Sequence, residues 1–346
     1  MAARLVATLV MVALAAAVLP GNNTVTSLLP SSRVARFFFN DFLLAPLTVV
    51  RILNDVCVAS SGRVGTCMSK NECVRKSGTG TGTCARGFGV CCVIVATENG
   101  VAYGNNTLIY KDKFNSAVDL TYTVLRMNDD ICQYRLDVKR LHLSPAETDG
   151  SCKDWMKISQ DTKFNKVCGF TRHVHYYIDV SSRSTVFTFH TEASKDYQRD
   201  WEIYVQQLTC DATGTAAPTG CGQWYWGVSG KIELWNNVDP GDKNWYYIDD
   251  QDYAVCVRWE AGYCSITYSE ATRFQPRCDD LFERPGETSL QDACINSPPS
   301  DPITYTLYAG NQYFYVHFKD PTNDHVGTRS SPYMSPSITY SQNGCT

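Results

Sequence analysis

The chain has 346 residues, of which 16 are cysteines, and its formal net charge at pH 7 is −4. The charge is unevenly distributed, because residues 21–92 carry eight Arg and Lys against three acids and residues 93–346 carry 22 against 32. The larger part is therefore acidic, which excludes the basic face of a nucleic-acid-binding protein. An even number of cysteines at this density is typical of an oxidising, extracellular compartment.

The first twenty residues predict a secretory signal peptide, residues 1–20. An apolar run from Leu5 to Leu19 follows the basic Arg4. A run of about fifteen residues is too short to span a bilayer and suits a signal peptide. No later stretch is long and apolar enough for a membrane span, so we expect a secreted, extracellular protein.

Residues 21–56 form a linker or pro-region before the first cysteine. Arg33-Val34-Ala35-Arg36 fits the Arg-x-x-Arg pattern that processing proteases of the secretory pathway cleave. Cleavage there would start the mature chain at Phe37, and the alternative is a linker that is merely basic.

Two N-glycosylation sequons begin at Asn22 and Asn105. Both are compatible with a glycoprotein of the secretory route. Chance occurrence is the alternative, and it is the weaker one at Asn105 because the neighbouring residues are typical of an exposed turn.

Residues 57–92 contain six cysteines within about 36 residues. A segment of that size cannot bury enough surface to fold on a hydrophobic core alone, so it requires disulfide bridges. We therefore predict a small disulfide-rich module, with cysteines at positions 57, 67, 73, 84, 91 and 92.

From residue 93 onward, apolar and polar residues alternate with the period of a β-strand. Tyr134, Leu136 and Val138 alternate with polar residues, and the phase then shifts at Lys139-Arg140 as it does at a β-bulge. Phe314, Val316 and Phe318 alternate in the same way. Many short strands separated by turns predict an all-β protein built from antiparallel sandwiches.

Eight of the remaining cysteines recur as two sets of four, at 132, 152, 168 and 210 and at 264, 278, 294 and 345. The inner cysteines of each set are 16 positions apart, and the outer ones are 78 and 81 positions apart. This repeat predicts a duplicated domain, with a first copy over residues 93–213 and a second over residues 214–346.

Several segments of the two copies share the pattern of a known family. They are Cys132–Asp137, Cys152, Cys168-Gly169, Val186–Phe189 and Trp201–Val205 in the first copy, and Cys221-Gly222, Gly230–Ile232, Gly262–Ile266, Cys278 and Cys294 in the second. Together they resemble the CUB domain, a β-sandwich module of extracellular proteins. The resemblance covers about 250 residues and implies two tandem CUB-like sandwiches, each the size of an ordinary domain.

The module that ends in Gly87–Cys92 resembles the clip-like cysteine modules of arthropod secreted proteins. Together with Arg36-Phe37 it resembles the arthropod CUB-domain-containing proteins. The resemblance implies the bridges Cys57–Cys91, Cys67–Cys84, Cys73–Cys92, Cys152–Cys168, Cys221–Cys256 and Cys278–Cys294, which leaves Cys132–Cys210 and Cys264–Cys345 as matched extra bridges.

Many CUB domains bind calcium through one Glu and two Asp, and the resemblance suggests where such ligands would lie. Ser144 occupies the Glu position, Asp154 follows Cys152 one residue too early, and Glu192 occupies the third position. A shift of one residue turns a strand side chain to the other face. Asp154 and Glu192 are therefore weak candidate calcium ligands, and no other cofactor is implied.

No motif in the sequence combines a nucleophile, a base and a group that orients the base, so we expect the protein not to be an enzyme. His173 and His175 are two positions apart, a spacing that zinc sites use on a strand. Ordinary surface histidines are the favoured alternative because no third ligand lies nearby.

Two runs are rich in the aromatic residues that interfaces and glycan-binding surfaces use. They supply the candidate binding residues Trp224, Trp226, Trp245 and Tyr247. The alternative is that these side chains lie in the core of the sandwich.

The sequence therefore predicts a secreted, non-enzymatic extracellular protein that recognises proteins or glycans through its CUB-like domains. The alternative is a non-catalytic regulator of an extracellular protease cascade, which would associate with clip-type proteases.

Overall fold

The computed structural model describes residues 51–147, 150–163, 165–194, 198–237, 248, 251–270, 281–283, 303–306, 313–319 and 337–345. In these residues a small disulfide-rich module precedes two β-sandwiches, so the predicted all-β architecture is confirmed. The predicted signal peptide, the Arg33–Arg36 site and the Asn22 sequon lie outside the described residues. So do Trp245, Tyr247, Cys278 and Cys294.

The disulfide-rich module is a four-stranded antiparallel sheet in the order β1-β2-β4-β3. Its elements are β1 (Val56–Val58), β2 (Val64–Met68), α1 (Lys70–Arg75), β3 (Thr79–Cys84) and β4 (Gly89–Val93). The hydroxyl oxygen of Ser69 caps α1 by accepting a hydrogen bond from Glu72 N at 3.2 Å.

The first sandwich packs two sheets face to face. Its strands are β5 (Gly100–Tyr103), β6 (Thr107–Phe114), β7 (Val118–Leu125), β8 (Ile131–His142), β9 (Trp155–Ile158), β10 (Phe170–Thr171), β11 (Val174–Asp179), β12 (Ser184–Thr191) and β13 (Arg199–Thr209). One sheet has the order β10-β8-β13-β6, with β11 also paired to β8, and the other has the order β5-β7-β12-β9.

The second sandwich repeats this topology. Its strands are β14 (Cys221–Tyr225), β15 (Ser229–Glu233), β16 (Asp252–Arg258), β17 (Tyr263–Glu270), β18 (Leu281–Glu283), β19 (Ile303–Thr306), β20 (Tyr313–Lys319) and β21 (Ser337–Gly344). The sheet β14-β16-β20-β18 corresponds to β5-β7-β12-β9, and β15-β21-β17-β19 corresponds to β6-β13-β8-β11.

Each sandwich departs from antiparallel pairing at the same place. Strand β5 runs parallel to β7, and β14 runs parallel to β16. In both cases the intervening strand belongs to the opposite sheet, so the chain crosses the sandwich and returns in its original direction.

Seven disulfide bridges occur among the described residues. Five join pairs that the resemblances imply, and the other two, Cys132–Cys210 and Cys264–Cys345, are the matched extra bridges that those pairs leave. The seven are Cys57–Cys91, Cys67–Cys84, Cys73–Cys92, Cys132–Cys210, Cys152–Cys168, Cys221–Cys256 and Cys264–Cys345. The bridge from Cys132 to Cys210 ties β8 to the residue after β13, and the bridge from Cys264 to Cys345 ties the corresponding β17 to the residue after β21.

The predicted bulge in β8 is confirmed. Arg140 pairs with Glu202 and Val138 pairs with Ile203, so Lys139 is the extra residue. The bulge lets Leu136, Val138 and Leu141 all point into the core despite their change of phase. The core of this sandwich is centred on Trp201, whose ring stacks on that of Phe189 at a centroid distance of 4.2 Å.

The disulfide-rich module packs tightly on the first sandwich. The hydroxyl of Tyr204 accepts a hydrogen bond from Val64 N at 3.4 Å, and Asn106 Nδ2 donates to the hydroxyl of Thr66 at 3.0 Å. Ile94 is buried in the same hydrophobic cluster as the core of both sandwiches. The disulfide-rich module is thus an integral part of the folded body.

The two sandwiches also share a buried junction. The loop after β15 places Asn236 against β10, where its side-chain oxygen accepts a hydrogen bond from Phe170 N at 2.9 Å and its backbone N–H donates to Thr171 Oγ1 at 2.8 Å. Gln223 Nε2 in β14 donates to the carbonyl of His175 at 3.2 Å. These contacts fix β14 and the loop after β15 beside β10 and β11 of the first sandwich.

Candidate recognition surface

Three large apolar side chains are exposed together at one end of the second sandwich. Trp226 and Val228 lie on the loop between β14 and β15, and Trp259 lies on the loop between β16 and β17. Their exposed fractions are 44%, 43% and 42%. We call these three residues the tryptophan surface.

The two loops that carry the tryptophan surface are held together by Gln342 of β21, whose side chain is buried. Its amide nitrogen donates to the carbonyls of Gly227 at 3.0 Å and Arg258 at 2.8 Å, and its side-chain oxygen accepts from Glu260 N at 3.0 Å. One side chain therefore satisfies backbone groups of both loops, which gives the surface a defined geometry.

Glu260 adds a second link between the same loops. Its carboxylate accepts a hydrogen bond from Gly227 N at 2.8 Å and two from the guanidinium of Arg258 at 2.9 and 2.8 Å. Burial by itself would raise the pKa of Glu260, but these donors hold that pKa below its ordinary value. Glu260 is thus kept as a carboxylate beside Trp259.

The first sandwich contributes to the border of the tryptophan surface. The guanidinium of Arg135 in β8 lies 5.8 Å from the centre of the Trp226 ring, within the range of a cation–π contact. Arg135 also donates to Asp137 Oδ1 at 3.1 and 3.0 Å and to the hydroxyl of Tyr177 at 3.3 Å. The surface is therefore composite, with residues from both sandwiches.

The predicted binding residues are divided by the structure. Trp226 is exposed, whereas Trp224 is 6% exposed and packs in a cluster with Tyr177, Leu208 and the Cys221–Cys256 bridge. Trp224 is therefore a core residue and not part of a binding surface. Trp224 and Trp226 are two positions apart, so in a continuous strand both side chains would lie on the same face. Strand β14 ends at Tyr225, however, so Trp226 lies beyond the strand and its side chain does not follow the strand's alternation.

The hydrogen bonds of Asp154 argue against the prediction that it is a calcium ligand. Asp154 is fully buried, and its two oxygens accept hydrogen bonds from the Arg199 side chain, Ser144 N and Glu192 N. A carboxylate has about four lone-pair positions, and these donors fill them. The side chain of Glu192 is exposed and only its backbone contacts Asp154.

His173 and His175, whose spacing predicted that they face the same way on a strand, do not lie on one strand. His173 has a left-handed backbone conformation, φ 56°, and lies before β11, whereas His175 lies within that strand. The ring of His175 packs against Tyr225 with a centroid distance of 4.5 Å, and its Nε2 lies 2.9 Å from the carbonyl of Trp224. His175 is therefore a residue of the junction between the sandwiches.

The environment of His175 keeps its ring neutral. Burial, together with the charge of Arg135, lowers the pKa of His175 to about 3 despite the hydrogen bond to Trp224. Since a carbonyl can only accept, the neutral ring carries its proton on Nε2 and donates it to Trp224 O.

Asn105 lies in the turn between β5 and β6, where its side-chain oxygen accepts hydrogen bonds from Gln207 N at 2.7 Å and Asn106 N at 3.0 Å. The neighbouring Asn106 and Thr107 are buried, so this turn is packed against the disulfide-rich module instead of exposed. Glycosylation of Asn105 stays a prediction.

Within the described ranges, no group of three or more His, Cys, Asp and Glu is placed to hold a metal ion. All cysteines of that part of the chain are in disulfides. None of the helices there has the length and hydropathy of a membrane span.

Sequence reasoning did not single out Trp259, Val228, Arg135 or Gln342. Trp259 directly follows the apolar strand that ends at Val257-Arg258 and precedes the turn at Gly262, where a tryptophan has no sheet to cover it. A bulky aromatic residue at a strand end next to a glycine turn was the available signal. The contact between Arg135 and Trp226 had no signal in the sequence, because it joins residues of two different sandwiches.

Residues 218–330 match the family model described as the animal CUB domain. The match covers strands β14 to β20 of the second sandwich, which is therefore similar to a CUB domain. Among curated proteins, none matches the chain.

Among solved structures, the CUB1-EGF-CUB2 domains of rat MASP-1 are 10% identical, with a TM-score of 0.26, and the match covers 70% of this chain and 99% of that one. The CUB1-EGF-CUB2 domain of human MASP-1/3 is 12% identical, with a TM-score of 0.25 and coverage of 68% and 98%.

Proposed function

We propose that this protein is a secreted, non-enzymatic binding protein that recognises an extracellular protein or glycan through the tryptophan surface. The observation that carries the proposal is the exposure of Trp226, Val228 and Trp259 on two loops that Gln342 and Glu260 hold in place. The animal CUB domain over residues 218–330 supports a binding role in the extracellular space.

The energetics favour binding by this surface. Trp and Arg are enriched among the few interface residues that dominate binding energy. An interface residue that is already ordered in the free protein loses less conformational entropy on association. Here the indole N–H of Trp259 already donates to the carbonyl of Tyr263, and the carbonyl of Trp226 accepts from the hydroxyl of Tyr340 at 3.1 Å. The surface is thus organised before a partner arrives.

The test is affinity capture from arthropod extracellular fluid with the purified full chain as bait, read by mass spectrometry. Baits carrying Trp226→Ala or Trp259→Ala are compared with a bait carrying Phe88→Ala, which removes an exposed ring from the disulfide-rich module. A partner lost with both tryptophan variants and kept with Phe88→Ala supports the proposal. A set of captured partners that neither tryptophan variant changes would overturn it.

A second candidate function is regulation of a clip-type protease cascade through the disulfide-rich module. One observation favours it. The hairpin tip after β3 holds Ala85, Arg86 and Gly87 at φ 47°, 56° and 91°, a strained left-handed run that exposes Arg86 and Phe88 beside the Cys67–Cys84 bridge. Capture of a clip-type protease that is lost with Phe88→Ala and kept with Trp226→Ala would select this function instead.

A further inference from the structure

We infer that the tryptophan surface, taken as the recognition site of the proposed function, binds an uncharged oligosaccharide across the border between the two sandwiches. The inference combines three properties of the site, which are its apolar centre, its balanced charge and its limited size.

The apolar centre suits sugar rings. One face of a pyranose ring presents mainly C–H groups, which pack on an indole, while the hydroxyls at the ring edge need polar partners. Trp226 and Trp259 supply two indoles on neighbouring loops, and Val228 adds an apolar contact beside Trp226.

The charges along the border cancel in pairs. Arg135 pairs with Asp137, Arg258 with Glu260, and Lys231 with Glu233 on the strand that starts after Val228. In each pair the two residues are two positions apart in the chain, and the ion contact between them holds the cation beside the anion. The surface therefore offers no net charge of opposite sign to attract a charged ligand, whereas hydroxyl groups can hydrogen-bond to either member of a pair.

The fixed planes of Arg135 and Arg258 favour specific hydrogen bonds. Each guanidinium is held by two bonds to a carboxylate, Asp137 at 3.1 and 3.0 Å and Glu260 at 2.9 and 2.8 Å. Ordered charged groups of this kind make short hydrogen bonds at a smaller entropy cost than mobile side chains do.

The size of the surface favours a small ligand. Three side chains that are less than half exposed form the apolar centre. A stable protein–protein interface buries about 800 Å² on each partner. A short oligosaccharide needs only a few ring contacts and a set of hydrogen bonds, so it matches this surface better than a protein face does.

The experiment titrates the full chain with chitohexaose, cellohexaose, laminarihexaose and mannohexaose, and with a heparin hexasaccharide as the charged comparator. Binding is followed by calorimetry and by tryptophan fluorescence. At least one neutral hexasaccharide is expected to bind. Trp226→Ala and Trp259→Ala should each weaken it by about tenfold, equivalent to about 1.4 kcal/mol. Arg135→Lys keeps the charge but not the planar fork, and it should weaken binding severalfold.

Phe88→Ala is the matched control and should bind like the wild type, because its ring lies on the disulfide-rich module. Far-ultraviolet circular dichroism and thermal unfolding of every variant show that a loss of binding is not a loss of folding. No binding by any neutral hexasaccharide, binding that both tryptophan variants leave unchanged, or tighter binding of heparin would each overturn the inference.

The failure of this inference can be told apart from the failure of the proposed function. A partner captured from fluid in a tryptophan-dependent way, and still captured after enzymatic removal of N- and O-linked glycans, would be bound through a protein surface. The proposed function would then stand and the oligosaccharide inference would fall. Tryptophan-dependent self-association in sedimentation velocity would likewise replace the oligosaccharide by a second copy of the chain.

Discussion

The guanidinium of Arg199 binds the carboxylate of Asp154 inside the first sandwich, with Nε 2.7 Å from Oδ2 and Nη2 3.1 Å from Oδ1. Both side chains are almost completely buried. The backbone N–H groups of Ser144 and Glu192 bind the same carboxylate, so the loops before β9 and after β12 meet at this pair. Removal of one partner would leave an uncompensated charge in the interior.

Arg199→Met is expected to lower the free energy of unfolding by about 3–5 kcal/mol, because Asp154 would lose its cation while staying buried. Urea unfolding followed by circular dichroism measures the change. The control is Glu147→Gln, which breaks the exposed pair of Glu147 with Lys153 and should cost less than about 1 kcal/mol. Equal losses in the two variants would contradict a special role for the buried pair.

Calcium at millimolar concentration is expected to leave the melting temperature of the wild-type protein unchanged. The reason is that the Arg199 guanidinium and backbone donors already occupy the oxygens of Asp154, and calcium needs several free oxygen ligands. Differential scanning calorimetry with calcium and with a chelator checks this. A calcium-dependent rise that disappears in Glu192→Gln would show that the site exists after all.

Gly169→Ala is expected to destabilise the junction between the sandwiches more than Gly214→Ala does. Both glycines are left-handed, with φ 78° and 85°, so each alanine is strained by about 1–2 kcal/mol. At Gly169 the new Cβ would also overlap Asn236 Oδ1, whereas at Gly214 it would meet nothing within 4 Å. The overlap should add about 1–3 kcal/mol.

Chemical denaturation of the two glycine variants measures this difference, and hydrogen exchange locates it. Faster exchange at Phe170, which donates to Asn236, is expected in Gly169→Ala alone. Identical stabilities would mean that the Asn236 contact does not constrain the junction.

His175→Gln is expected to reduce the acid sensitivity of folding. The pKa of His175 is about 3 in the folded protein against 6.5 ordinarily, so between these values the unfolded chain binds a proton that the folded chain does not. Stability therefore falls as the pH drops from about 6.5 toward 3, by at most about 1.4 kcal/mol per pH unit. Glutamine keeps an N–H donor toward Trp224 O and removes the titration.

Urea unfolding at several pH values between about 4 and 7 gives the slope of stability against pH. A smaller slope is expected in His175→Gln, and a slope like that of the wild type is expected in His173→Gln, whose side chain is exposed. A slope that neither variant changes would show that another group controls acid sensitivity.

Gln342→Leu is expected to loosen the tryptophan surface without removing any of its three side chains. The substitution leaves the carbonyls of Gly227 and Arg258 and the N–H of Glu260 without their partner, at a cost of about 1–3 kcal/mol. Faster hydrogen exchange in the loops after β14 and β16 and weaker ligand binding should follow. Ser341→Ala, at an exposed position of the same strand, should change neither.

Features that depend on local order along the chain could be predicted well. The alternation of Leu136 and Val138 and its change of phase at Lys139 correspond to a bulged strand, because the two faces of a strand differ in burial. Strand alternation did not predict the difference between Trp224 and Trp226. Trp226 is exposed because it lies beyond the end of β14, and strand ends are poorly marked in sequence.

By itself, the sequence determined the all-β class, the disulfide-rich module and the repeated cysteine frame, because these follow from composition, alternation and spacing. Only the tertiary structure decided that Asp154 meets Arg199, 45 positions away, and that Arg135 of one sandwich borders Trp226 of the other. Such contacts depend on the register between sheets and on how two domains pack. A side chain becomes a ligand, a core residue or a recognition residue only when packing decides which groups share its surroundings.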